Sequence, residues 1–300
     1  MTNHPLTIAL HIGVHKTATT HLQRSLKHAR RALAAEGVRY YGPDHFRSPG
    51  QTIPARFGFR RDPSTQAPDL APAEQLALMR KEGHRLVISE ENFIGALNHP
   101  HGLALKTRYK DADNRIAAFA NAVGQEVDVC VALRRPTGFL NAAYCQMLLG
   151  GRVQPIGLYL SRNPVSSVDW VALIARLRTA SGLGRLTVWR YEDYAVLFPQ
   201  IVAGLVGTEA AHLVVPRPKY VNRGLSAAAV ADVLQRTDAD PTDKIAAAAR
   251  RMLPVEEGYP PFDGFSQAEH EMGDAIYAAQ IKAIAAMDGV TLLQPQNDPT

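Results

Sequence analysis

Short apolar segments alternate with segments of helical spacing along most of this chain, and this alternation restricts the fold more than any other feature. The first apolar segment covers residues 6–12, and two more cover 85–89 and 127–133. Buried strands separated by helices are typical of parallel sheets with helices on both faces. We therefore predict an α/β fold with three layers, α/β/α, around a central parallel sheet.

The spacing of apolar residues predicts the helices of this fold. They are expected at 19–36, 72–83, 114–123, 137–149 and 166–180. A further strand is predicted at 186–191, and the alanine-rich part from 225 to 287 is predicted to be mainly helical. Long loops in compact proteins are often functional. We expect a single domain over residues 1–300, in which the loops 42–70 and 149–165 act as substrate lids.

Composition limits the partners of this protein. Its 300 residues are 46% hydrophobic and carry a net charge of +5, which favours anionic ligands. The basic residues are too dispersed to indicate nucleic acid binding. No apolar run is long enough for a membrane span. The absence of a signal peptide and the spacing of Cys130 and Cys145 predict reduced thiols in a cytoplasmic protein.

The end of the first strand carries the strongest functional signal, in the stretch "HIGVHKTATTHLQ". At a strand-to-helix turn, free backbone N–H groups and the helix dipole attract an anion. The lysine adds a positive charge and the threonines add hydroxyl donors. The spacing is not that of a Walker loop, which has a glycine directly before the lysine. The candidate binding residues are Gly13, His15, Lys16, Thr17, Ala18, Thr19 and Thr20.

This stretch resembles the 5′-phosphosulfate loop of the sulfotransferases, and it is especially similar to their bacterial branch. The resemblance implies a P-loop NTPase-like architecture and 3′-phosphoadenosine 5′-phosphosulfate (PAPS) as the sulfuryl donor, without a metal ion. It also implies that Lys16 interacts with the oxygen of the donor from which the sulfuryl group departs. Ala18 departs from the family, which usually has glycine there. An alanine side chain at that position either crowds the phosphate or is tolerated if φ is negative.

A second segment of the resemblance follows the strand 127–133, in "RRPTGFLNAAY". In the family, an arginine after this strand and a serine eight residues later hold the 3′-phosphate. Arg134 matches the arginine, whose planar guanidinium suits phosphate oxygens. Ala142 stands at the serine position. The missing hydroxyl is typically worth about 0.5–1.5 kcal/mol of hydrogen bonding.

The third segment is weaker and brings the resemblance to roughly residues 6–230. "WRYEDY", at 189–194, is similar to a family segment whose tyrosine lies near the adenine, which makes Tyr191 a candidate nucleotide contact. In "VNRGLS", Arg223 and Gly224 are candidates for late phosphate contacts.

The acceptor hydroxyl or amine needs a general base. In the family this base is a glutamate or a histidine whose position varies. His45 in the loop after "RYYGPDHF" is one candidate, and Glu90 and Glu91 in "VISEENF" are the others. The acceptor is expected to be a small molecule, a lipid or a carbohydrate. The sequence carries no signal for an oligomeric state.

Two other functions stay open at the level of sequence. A small-molecule kinase that uses ATP and Mg²⁺ would also explain a lysine–threonine loop, and it would need a carboxylate for the metal, which "LVISEE" offers. A catalytically inactive relative that binds a nucleotide would explain Ala18 and Ala142.

Overall fold

The computed structural model describes residues 5–59, 69–98, 107–218, 224–236 and 242–295. Within these residues, one six-stranded sheet has the order β2-β3-β1-β4-β5-β6. All neighbouring strands are parallel, as the apolar runs predict. The strands are β1 (Thr7–His11), β2 (Val38–Tyr41), β3 (Arg85–Ser89), β4 (Val127–Leu133), β5 (Leu183–Arg190) and β6 (Val290–Leu292).

Helices connect the strands and form the C-terminal part of the described chain. They are α1 (Thr19–Ala35), α2 (Ile53–Arg56), α3 (Pro72–Arg80), α4 (Ala112–Val123), α5 (Pro136–Leu149), α6 (Ile156–Arg162), α7 (Trp170–Arg178), α8 (Tyr194–Val206), α9 (Ala227–Gln235), α10 (Thr242–Met252) and α11 (Gln267–Ala285). None of the helices in the described parts of the chain is both long and apolar enough to cross a membrane.

The helices cover both faces of the sheet, which confirms the three-layer α/β/α arrangement. On one face, α1 and α8 pack against strand residues such as Ala9 and Trp189. On the other, helices that include α4, α5 and α7 pack against Leu10, Val129 and Val188. Successive strand residues point to opposite faces, so both sets of side chains are buried. The thiols of Cys130 and Cys145 are free and buried.

Some elements were not predicted from the pattern. β2 and β6 have only four and three residues, too few for a clear alternation. The helix α8 follows β5 directly and contains Pro199, which weakens its helical signal. The expected loop 149–165 contains α6, and the expected loop 42–70 contains α2. The role of both segments as lids stays a prediction.

The strand order determines where the functional side chains meet. β1 lies between β3 and β4, so the carboxyl ends of these three strands are adjacent at one edge of the sheet. Just beyond this edge, the backbone N–H of Glu90 donates to the carbonyl of His11 at 3.1 Å. Ligands of open α/β sheets bind at such strand ends, where the order of the strands reverses.

Candidate anion-binding site at the carboxyl edge of the sheet

The loop between β1 and α1 forms the centre of the candidate site. Lys16 has a φ of 68° and Ala18 a φ of 59°, both in the left-handed region. Turns with left-handed residues create concave groups of N–H donors that bind anions. Among the described residues, the backbone N–H groups of residues 16–20 make no hydrogen bond to a backbone carbonyl. These donors at the N-terminus of α1 are therefore candidates for binding an anion.

The side chains of His11 and Thr19 leave little room for a side chain at Gly13. A Cβ at this position would lie 3.0 Å from His11 Nε2 and 3.1 Å from Thr19 Oγ1. His11 is itself fixed, because its Nδ1 lies 2.7 Å from Ser89 Oγ and its ring stacks on Trp189. The imidazole of His11 thus supports the loop from the sheet side.

The threonines of the loop have different environments. The hydroxyl of Thr17 donates to the carbonyl of Val14 at 2.6 Å, so this side chain closes the turn. Thr19 is buried next to it, with the two hydroxyl oxygens 3.5 Å apart. Thr20 is partly exposed in the first turn of α1. Of the three predicted hydroxyl ligands, Thr20 is therefore the most accessible.

Lys16 and Arg134 come together from distant parts of the chain. The guanidinium Nη1 of Arg134 donates to the carbonyl of Lys16 at 2.7 Å, and Lys16 Nζ donates to Gln146 Oε1 at 3.2 Å. Burial lowers the pKa of Lys16, and the positive charge of Arg134 lowers it further. The charge of Arg250, on α10, acts in the same direction. Cations gathered in this way favour an anionic ligand.

Arg134 also joins the second and third sequence segments. Its guanidinium lies 4.6 Å above the centre of the Tyr191 ring, and the indole N–H of Trp170 donates to its carbonyl at 2.8 Å. A Cβ at Gly138 would lie 3.3 Å from Arg134 Nε, so the guanidinium lies across the first turn of α5. The predicted pair of Arg134 and Tyr191 is thus brought to the loop that carries Lys16.

The remaining binding candidates make fewer contacts that bear on a ligand. Ala142 is partly exposed on α5, four residues after Gly138 and four before Gln146, which puts the three on one helix face. Gly224 is exposed, and Arg223 lies outside the described residues. The φ of Ala18 is positive, contrary to the condition under which its side chain was expected to be tolerated.

The two carboxylate candidates for the general base share one arginine. Arg47 Nη2 lies 2.9 Å from Glu90 Oε1 and 2.7 Å from Glu91 Oε1. Gln23 Nε2 also donates to Glu91 Oε2 at 3.0 Å. Burial works to raise the pKa of Glu91, but the charge of Arg47 and the hydrogen bonds that the carboxylate accepts, from Arg47 and Gln23 among others, together hold the pKa below its usual value. Glu91 is thus ionised at neutral pH.

His45, the third candidate base, has a separate environment. Its Nδ1 lies 3.2 Å from Asp44 Oδ1 and 3.4 Å from Arg30 Nη2, and its ring meets Tyr41 edge-on. Burial lowers its pKa. None of its described contacts reaches residues 13–20. The structure therefore groups Glu90 and Glu91, but not His45, with residues next to the loop.

Several residues of the site were missed in the sequence. They are Arg47, Asn92, Tyr109, Gln146 and Arg250. Gln146 could have been found, since it continues the four-residue spacing from Arg134 along α5. Tyr109 lies in a turn without periodicity, and Arg47 lies in a loop of several arginines. Nothing in their local pattern singles them out.

Comparisons of this chain with protein-family models, with curated proteins and with solved structures found no match. Within the described ranges, no three His, Cys, Asp or Glu side chains are grouped so that they could hold a metal ion.

The left-handed backbone at Ala18 leads to a stability prediction. Ala18→Gly is expected to raise the free energy of unfolding by about 0.5–1 kcal/mol, because a Cβ in this region costs about 1–2 kcal/mol and the greater freedom of unfolded glycine offsets part of it. Urea denaturation measures the change. Ala142→Gly, inside α5, is the control and should lower the stability by about 1 kcal/mol. A loss of stability in Ala18→Gly would contradict the prediction.

Buried His11 leads to a pH prediction. Burial lowers the pKa of His11 to about 4, against an ordinary value of 6.5. Between about pH 6.5 and pH 4, His11 is therefore protonated in the unfolded chain and neutral in the folded chain. We expect the stability contributed by neutral His11, about 3 kcal/mol, to be lost as the pH falls from about 6.5 to 4. Denaturation at several pH values should show this slope, and His11→Asn should make it shallower by the part that His11 contributes. His28→Asn, at an exposed position of α1, should leave the slope intact.

Proposed function

We propose that this protein is a sulfotransferase with a P-loop NTPase-like architecture, which transfers a sulfuryl group from PAPS to a hydroxyl or amine of an acceptor. The observation that carries the proposal is the contact of Arg134 with the carbonyl of Lys16 and the ring of Tyr191. These residues belong to the three sequence segments that resemble the family. Their meeting at one sheet edge supports a common ligand.

The residues of the site fit a ligand with several negative charges. The free N–H groups of residues 16–20 would hold the 5′-phosphate, and Arg134 would hold the 3′-phosphate. Tyr191, stacked on Arg134, would contact the adenine. PAPS, when bound, supplies the sulfuryl group and the phosphate that leaves. Lys16 contributes a positive charge where negative charge develops in the transition state. The Lys16 amine is partly shielded from solvent, and a positive charge there acts more strongly than in water.

Among the candidate bases we favour Glu91. Its negative charge acts on Lys16, His15 and His11, whose pKa values it helps to raise. His45 has no described contact with this group. Glu90 is the more buried of the two carboxylates, with 5% of its side chain exposed against 14% for Glu91. Arg47 is 45% exposed, so the group that restrains Glu91 can turn toward solvent.

The kinase alternative depends on the same carboxylates. A kinase would use a carboxylate after a strand next to β1 to hold Mg²⁺. Both carboxylates at the end of β3 are paired with Arg47 instead. A guanidinium between them opposes the binding of a cation there. This pairing favours a reaction in which the positive charge at the donor comes from Lys16 and Arg134.

Binding of 3′,5′-adenosine bisphosphate (PAP) tests the proposal without knowledge of the acceptor. We expect calorimetry without metal to give micromolar binding of PAP and weaker binding of ATP with Mg²⁺. Lys16→Ala and Arg134→Ala should each weaken PAP binding about tenfold to a hundredfold, since charge-assisted hydrogen bonds are worth about 1.5–3 kcal/mol. Arg135→Ala is the matched control, because Arg135 pairs with Asp274 at 2.9 Å.

The alternatives give other results in the same titrations. A preference for ATP with Mg²⁺ would reject the sulfotransferase and favour the kinase. PAP binding without any turnover of PAPS across a panel of hydroxyl and amine acceptors would favour the inactive relative. An equal loss of binding in Arg134→Ala and Arg135→Ala would mean that general surface charge, not the site at Lys16, attracts the nucleotide.

The role of Arg47 leads to a further prediction. In Arg47→Ala, burial of Glu91 is no longer opposed by a neighbouring guanidinium, so the pKa of Glu91 should rise relative to the wild type. A carboxylate with a higher pKa is a better proton acceptor near neutral pH. Carbon-13 NMR of the side-chain carboxyl, assigned with Glu91→Gln, measures the titration. Arg56→Ala, which removes contacts to the backbone carbonyls of Gln51 and His45, is the control. An unchanged titration of Glu91 in Arg47→Ala would contradict the prediction.

A further inference from the structure

Tyr109 makes an unusual approach to the anion-binding loop. It lies in the turn before α4 with a φ of 51°, a conformation that bulky residues rarely adopt. Its side chain is buried, and its ring stacks on the imidazole of His15 with the centres 5.8 Å apart. Strained residues of this kind persist where the surroundings hold them firmly, and they often lie at functional sites.

The hydroxyl of Tyr109 contacts His15 at two points. It lies 3.4 Å from the backbone nitrogen of His15 and 3.1 Å from Nδ1 of the ring. The backbone N–H can only donate, so the tyrosine oxygen accepts there. The hydroxyl hydrogen is then available for Nδ1, which accepts it when the ring nitrogen carries no proton.

The opposite side of the imidazole is fixed by Asn92. His15 Nε2 lies 3.0 Å from Asn92 Oδ1, an oxygen that only accepts, so Nε2 carries the hydrogen. Asn92 is held in turn, because its backbone N–H donates to Glu90 Oε1 at 3.0 Å. The neutral Nε2–H form of His15 is the one that satisfies all of these bonds together.

We propose that Tyr109 is a positioning residue, which holds His15 as the neutral Nε2–H tautomer and thereby orients Lys16 and the N–H donors of residues 16–20. The inference rests on the proposed function, since it assigns Tyr109 a part in binding the sulfuryl donor. His15 directly precedes Lys16, and the Tyr109 hydroxyl contacts both its ring and its backbone nitrogen, so Tyr109 restrains the backbone from which Lys16 and the following N–H groups extend. Donors held in place before binding cost less to organise than free ones.

The charges around His15 agree with a neutral ring. Burial lowers the pKa of His15; the bond to Asn92 raises it, Glu91 raises it, and Lys16 and Arg47 lower it. The neutral hydroxyl of Tyr109 contacts the ring at Nδ1. Without that hydroxyl, Nδ1 loses its hydrogen-bond donor and becomes free to take a proton.

Tyr109→Phe tests the inference, with Tyr159→Phe as the matched control. Tyr159 is also buried, and its hydroxyl bonds Asn98 Oδ1 at 3.3 Å instead of the loop. Calorimetry with PAP and nitrogen-15 NMR of the histidine rings are measured for each protein. We expect Tyr109→Phe to bind PAP about tenfold more weakly and to shift the titration of His15 to higher pH. Tyr159→Phe should change neither.

Asn92→Asp provides a second test that does not depend on the stability of Tyr109→Phe. The carboxylate keeps an acceptor for Nε2 and favours the charged imidazolium, so the titration of His15 should shift to higher pH than in the wild type. The inference is overturned if His15 in the wild-type protein is not the neutral Nε2–H form, or if Tyr109→Phe binds PAP as the wild type does. Failure of the wild type to bind PAP would instead reject the proposed function. The NMR measurement would still show whether Tyr109 holds His15 as the neutral Nε2–H tautomer.

Discussion

The parallel pairing of β1 with both β3 and β4 is the constraint on which the rest of this structure depends. It puts β1 in the middle of the sheet and brings three strand ends to the same edge. The loop with Lys16 follows β1, the pair Glu90 and Glu91 follows β3, and Arg134 follows β4. The site is thus a direct result of how the sheet is arranged.

The electrostatics of the site follow from this arrangement. Positive charge is concentrated on the β4 side, where Arg134 contacts the loop and Arg250 acts on Lys16. Negative charge is concentrated on the β3 side and is restrained by Arg47. A ligand with several negative charges is therefore attracted to the β4 side. A group that gives up a proton finds its acceptor on the β3 side. This separation suits a transfer between a charged donor and a neutral hydroxyl or amine.

Much of the fold could be predicted from local patterns, while the contacts of the site could not. The runs around β1, β3 and β4 are long and apolar, so their place in a parallel sheet follows from burial alone. Lys16 and Arg134 could be singled out because they follow such runs directly. Tyr109 and Arg47 reach the site through turns and long-range contacts that leave no periodic signal. The positive φ of Ala18 also depends on the whole loop, because the residue type by itself favours negative φ.

The loop with Lys16 is held from two sides, which explains how it keeps two left-handed residues that are not glycine. Arg134, which follows β4, binds the carbonyl of Lys16, and Tyr109, from the turn before α4, binds His15. His11 supports it from below, at the closest distance that Gly13 permits. The strain of the loop is thus balanced by bonds to the protein and does not require a ligand. For the proposed anionic ligand, such rigidity would lower the cost of organising the donors on binding.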